Sequence, residues 1–111
     1  MLSFPGNSKI YLFRGVTDMR RSFNGLCGLV ETHFPGELLK NCFFIFSNRR
    51  RNFIKVLYWD QDGLAIWYKR LEKGTFKLPG DGEKAILDRR QLILLLEGVT
   101  PLKIDRRFTL N

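Results

Sequence analysis

The amino-acid sequence predicts an α+β domain, an antiparallel sheet of about four or five strands packed with two helices. Three observations carry that expectation. Short apolar runs such as Cys42 to Phe46 are bounded by turn-forming residues. The segment from Phe53 to Arg70 alternates on either side of Gln61-Asp62-Gly63, as a hairpin does. Two further stretches repeat their apolar residues every three or four positions, the spacing of one helix face. A chain of 111 residues supports one modest core. Residues 1–111 therefore read as a single domain, compact over about residues 9–99, with a tail, 100–111, that lacks clear periodicity.

The elements follow in order. Lys9 to Phe13 (KIYLF) suits a strand closed by Arg14-Gly15. Thr17 and Asp18 are good N-cap residues, after which Met19, Phe23, Leu26, Val30 and Phe34 recur on one helix face with Cys27 beside them. Pro35-Gly36 ends that helix. Gly25 and Gly28 inside it each cost about 1 kcal/mol relative to Ala. Close approach of another backbone is favoured slightly over a neutral surface choice as their reason. Cys42 to Phe46 (CFFIF), apolar throughout, reads as a central strand, and Ser47 to Asn52 (SNRRRN) as a polar turn.

In the hairpin, Gly63 is assigned the positive φ of a type I turn with a bulge. Leu71 to Gly74 then turns into a further strand, Thr75 to Leu78, and Pro79 to Gly82 is a loop. Asp88, with Gln91 three residues later, forms a capping box for the second helix, and Gly98 stops it.

Charge is the strongest global signal. Nineteen Lys and Arg against eleven Asp and Glu give a net charge of +8 on a chain that is 44% hydrophobic and 14% aromatic. Such a chain is too rich in core formers to be disordered. Its charge excess favours a polyanionic partner, because neutralising phosphates releases counterions.

The three-residue turn would pair Asp60 with Leu64, Leu57 with Trp67 and Lys55 with Lys69. On that register Ile54, Val56, Tyr58, Leu64, Ile66, Tyr68, Phe76 and Leu78 share the face that covers the helices. Lys55, Trp59, Trp67, Lys69 and Lys77 share the other, beside Arg49, Arg50 and Arg51 at the adjoining turn. Opposed lysines repel, and a basic face interleaved with aromatics suits phosphate contact plus stacking of bases. These eight residues are the candidate nucleic-acid-binding set. The alternative buries Trp59, Trp67 and Leu57 under the tail or a second subunit while the lysines snorkel outward. A basic turn is, likewise, often a solvated loop.

No GxxxxGKS/T loop, GxSxG elbow or HExxH motif occurs. Cys27 and Cys42, with the single His33, make no zinc set and read as reduced core thiols. No metal, cofactor or small-molecule substrate is expected. His33 reads as a cation at a helix C-terminus, and a Cys27–His33 pair is disfavoured because the i, i+6 spacing separates the two around the helix. Asp18, Asp60 or Asp62, and Glu97 are the residue types of a two-metal strand-transfer site. Asp60 and Asp62 are better explained as turn formers, so no catalytic residue is assigned. No apolar run approaches the roughly 20 residues that span a bilayer, and no signal peptide is evident. The expected location is the cytoplasm.

Three segments taken together carry a resemblance. GVTDMRRSFNGL (Gly15 to Leu26), FFIFSNRRRNFIKVLYWDQDGLAIWYKRLEKGTF (Phe43 to Phe76) and QLILLLEGV (Gln91 to Val99) resemble, in order and spacing, the family called TnpB or Orf2-like of insertion-sequence-sixty-six elements. That family is distinct from the RNA-guided nuclease sharing the TnpB name. The likeness runs from about Lys9 to Val99, with Lys77-Leu78-Pro79 standing where members often have Trp-Pro. It implies participation in transposition beside a separate, larger transposase, with no established catalytic role and no site residues to carry over.

The expected function is therefore that of a non-catalytic accessory protein for transposition, binding DNA through the basic, aromatic-containing surface. The alternative is a protein-only adaptor that holds the transposase or another element-encoded protein. Ile93 and Leu94, apolar where a surface helix should be polar, are the candidate residues for a transposase contact or a homodimer.

Overall fold

The computed structural model describes residues 6–97. The elements are β1 (Lys9–Val16), α1 (Phe23–His33), β2 (Cys42–Ser47), β3 (Phe53–Asp60), β4 (Gly63–Arg70), β5 (Lys84–Leu87) and α2 (Arg89–Glu97). The five strands form one sheet in the order β4-β3-β2-β1-β5. It is an α+β domain with a mostly antiparallel sheet. The parallel pair is β1 with β2, because α1 carries the chain back to the end from which β1 started.

The sheet is covered on both faces. β2 dictates this, since all six of its residues are buried and alternate ones point opposite ways. Phe43 and Ile45 join Ile10, Leu12, Ile54 and Val56 beneath Leu92 and Leu95 of α2. Phe44 and Phe46 join Tyr11, Phe13 and Leu57 beneath Leu26, Val30 and Phe34 of α1. The helices thus lie on opposite faces, whereas the sequence reading put both on one. A strand apolar at every position needs two covers.

Other boundaries shift for local reasons. Helix α1 begins at Phe23, after Ser22, which makes no side-chain cap bond. Thr17 is buried and donates its amide to the Ser47 carbonyl at 2.9 Å. Asp18 instead closes a turn, accepting from the Arg20 amide at 2.9 Å. The α1 glycines do not meet another backbone: a Cβ on Gly28 would find nothing within 4 Å, and one on Gly25 only the Arg21 side chain. Thr75 to Leu78 forms no ladder, because Phe76 is needed as a core plug, 2% exposed. The fifth strand is Lys84–Leu87, paired antiparallel to β1.

The capping box forms as expected: Gln91 N donates to Asp88 Oδ1 at 2.7 Å and Asp88 N to Gln91 Oε1 at 2.9 Å. The Gly98 stop and the tail 100–111 lie outside the described residues.

Candidate nucleic-acid interface

The β3–β4 hairpin decides which side chains share a surface. Its loop holds two residues, Gln61 and Asp62, so Asp60 pairs with Gly63, not Leu64. Gln61 carries the positive φ, 57°, and the Asp62 amide returns to the Asp60 carbonyl at 2.6 Å. Gly63 has no positive φ. The resulting one-residue slip sends every β4 side chain to the face opposite the expected one. Lys55 lies across from Tyr68, and Lys69 across from Ile54. The two lysines are therefore on opposite faces, and the repulsive pair does not exist.

On the α1 side the register gathers Phe53, Lys55, Tyr68 and Arg70 at one end of the hairpin. Lys55 Nζ donates to the Arg21 carbonyl at 2.8 Å, which brings the loop before α1 over this corner. The same ammonium stands 6.0 Å from the Tyr68 ring centroid, and the Phe53 and Tyr68 centroids are 6.1 Å apart. Tyr68 is 65% exposed. Arg21 and Arg70 are also exposed.

The turn from Asn48 to Asn52 adjoins this corner. Asn48 shapes it: its Oδ1 accepts the amides of Asn52 and Phe53 at 3.1 and 3.2 Å, and its Nδ2 donates to Asn52 Oδ1 at 2.7 Å. Arg49 and Arg50 project from the turn, exposed. Arg51 does not share the availability expected of all three arginines. With φ at 59° it turns inward, donating to Ser47 Oγ and, at 2.6 Å, to the Arg14 carbonyl. Burial, then the neighbouring Arg14 charge, lowers its pKa. It is a strut holding the turn against β1.

The remaining candidates are dispersed. Lys69 Nζ is engaged by the Leu96 carbonyl of α2 at 3.0 Å, and Trp67 packs into the α2-side core. Lys77 sits on the loop beyond β4, its Nζ 3.3 Å from Thr75 Oγ1. Trp59, 39% exposed, shares the Lys55 face but lies at the far end of the hairpin, its Nε1 donating to the Gln61 carbonyl at 3.1 Å. Arg21, Phe53, Tyr68 and Arg70 belong to the surface and were missed. Choosing the commoner two-residue hairpin loop would have brought in the β4 members.

Among the described residues the candidate strand-transfer carboxylates are not gathered into one site. Asp18 is held by Arg20 through a 2.6 Å ion pair, whose hydrogen bonds bring its pKa down to about 2. Val16 pairs with Ser47, so Asp18 lies near the Asn48–Asn52 end of the sheet, while Asp60 and Asp62 lie at the other hairpin end. Among the described residues no group of three or more His, Cys, Asp or Glu could hold a metal ion. His33 Nδ1 faces Glu83 Oε1 at 3.4 Å and its ring packs on Phe13. Both cysteines are free, their thiol pKa values raised chiefly by burial. Among the described residues no helix is long and apolar enough to cross a membrane.

Fold and surface together define a small α+β protein with a basic corner carrying exposed aromatic surface. The chain belongs to the IS66 Orf2 like protein family, whose model matches residues 8–106, and this supports an accessory role in transposition of insertion sequences. It is 31% identical over 100 residues to the uncharacterized protein y4hO of Sinorhizobium fredii (strain NBRC 101917 / NGR234), covering 89% of this chain and 87% of that protein. It is 29% identical over 91 residues to the uncharacterized protein y4jC of the same organism, covering 81% and 78%. No solved structure matches the chain.

Proposed function

We propose that this protein assists transposition without catalysing it, by binding DNA through the corner formed by Arg21, Arg49, Arg50, Lys55, Tyr68 and Arg70. The observation that carries the reading is Lys55, tied to the Arg21 carbonyl and set beside the exposed Tyr68 ring. Lys55 stands beside the open Tyr68 ring, and Arg21, Arg49, Arg50 and Arg70 are exposed on the adjoining chain segments. Phosphates meet the cations, and an unpaired base stacks on Tyr68. The net charge of +8 adds long-range attraction. Affinity for single- and double-stranded DNA, including element-end sequence, measured across a salt series tests this. Arg49→Ala with Arg50→Ala should flatten the slope of log affinity against log salt by roughly 0.9 for each duplex phosphate no longer neutralised. An unchanged slope removes the turn from the interface.

A second reading has its own observation. Ile93 on α2 is 44% exposed, beside the half-buried Leu94, and an apolar residue at an open helix position suits a protein partner. On this reading the helix holds the element's transposase. Co-purification of the two proteins, lost with Ile93→Asp while the fold persists, would support it. Retention of the complex by that variant would dismiss it.

A further inference from the structure

The ladder between β2 and β3 ends at the pair Phe43 and Tyr58, whereas β3 stays paired with β4 as far as Asp60 and Gly63. Ahead of β2 the Cys42 amide turns back to the Lys40 carbonyl at 2.7 Å. Between residues 39–41 and the hairpin tip lies a cavity of about 380 Å³, at the lower end of the range for small-ligand sites. Phe43 and Tyr58, their rings stacked at 5.1 Å, line it together with Leu39, Trp59, Asp60 and Gln61.

The wall on the hairpin side is strained. The Asp62 amide closes on the Asp60 carbonyl at 2.6 Å across Gln61, whose φ is 57°. A three-residue turn at positive φ is the rare, strained form, and glycine would adopt it at little cost. Strain kept at a cavity wall points to a use for the side chain there. The same turn sets the Gln61 carbonyl 3.1 Å from Trp59 Nε1, whose donated hydrogen bond fixes the indole. Among the described residues neither the Asp60 carboxylate nor the Gln61 carboxamide has a hydrogen-bond or ion-pair partner. Burial, then the Asp60 charge, raises the Tyr58 pKa, which sets that carboxylate near the phenol.

Aromatic walls beside one acceptor-only group and one group that both donates and accepts match a planar heterocycle carrying an amine. A guanidinium has donors only and would leave the Gln61 donor unused. We propose that this cavity holds one unstacked nucleobase bearing an exocyclic amino group, stacked on Trp59 and hydrogen-bonded by Asp60 and Gln61. Trp59 shares the Lys55 face four residues further along β3, about 13 Å away at the rise of a strand. A nucleic-acid strand leaving the corner therefore reaches it. Supply of the base by DNA rests on the reading proposed above, whereas recognition of the base does not.

Titration of the isotope-labelled full chain with deoxyadenosine, deoxycytidine, deoxyguanosine, thymidine and argininamide tests this. The readout is the nuclear magnetic resonance of the Trp59 indole N–H, which Trp59→Phe identifies. Saturable shifts are expected with the amino-bearing nucleosides, thymidine binding roughly tenfold more weakly. Asp60→Asn should narrow that gap. Gln61→Gly keeps the turn and should weaken every nucleoside about tenfold without loss of stability. Arg49→Ala with Arg50→Ala should leave these responses unchanged, so the cavity and the corner fail separately. A single-stranded oligonucleotide that acts at lower concentration than the nucleosides identifies DNA as the source of the base. Nucleosides acting without it identify a free nucleotide. The proposal is overturned by the absence of any nucleoside response in the full chain, residues 98–111 included. So it is by an argininamide response exceeding theirs, or by shifts indifferent to both Asp60→Asn and Gln61→Gly.

Discussion

Arg49 and Arg51 are separated by one residue and have opposite duties. The Arg49 side chain is exposed, whereas Arg51 bridges Ser47 and the Arg14 carbonyl. Arg51→Ala should cost about 1–3 kcal/mol in urea unfolding by stripping those partners, while Arg49→Ala stays within about 0.5 kcal/mol. Equal effects would contradict the division. Tyr11 offers a pH signature. Burial, then its 2.8 Å hydrogen bond to Glu37 Oε1, pushes its pKa from 10.0 up to about 12. The folded protein keeps the phenolic proton where the unfolded chain has lost it. This contribution is complete below pH 10 and disappears as pH rises through about 12. Tyr11→Phe should lose about 1 kcal/mol at pH 7 but show a shallower decline between pH 10 and 11. Parallel alkaline limbs would refute the assignment.

The hairpin shows how far an element can be read from sequence and where the reading stops. Strand existence follows from alternation over Phe53 to Arg70, and the α2 capping box from Asp88 and Gln91. Register depends on which loop residue accepts a positive φ. Gly63 is the low-cost choice, yet the chain places Gln61 there. That choice moved Lys69 and Trp67 off the candidate surface and Tyr68 and Arg70 onto it. The inward turn of Arg51 was equally hidden, because it depends on a carbonyl of β1, remote in sequence. Left-handed backbone costs a non-glycine residue about 1–2 kcal/mol. Part of that returns as the chain entropy a glycine loses. Gln61→Gly should therefore stabilise the protein by up to about 1 kcal/mol in thermal or urea unfolding. A loss of stability would indicate that the Gln61 side chain supports the turn.

At the scale of the molecule, the apolar β2 run required cover on both faces, and the two helices supply it. Covering both faces abolishes the broad wet platform expected from sequence. Among the described residues, a corner stays exposed where the loop before α1, the Asn48–Asn52 turn and the ends of β3 and β4 meet. The net charge and several of its bearers were legible in the sequence, whereas their grouping required the register and the crossover. The central claim is that this corner contacts phosphates. Its most direct test is the salt dependence of DNA affinity, comparing the natural chain with Arg49→Ala/Arg50→Ala and, separately, with Lys69→Ala as an off-surface control. A steep slope, flattened by the double arginine variant and unchanged by the control, is predicted. A slope altered equally by both, or absence of binding at low salt, would contradict the account.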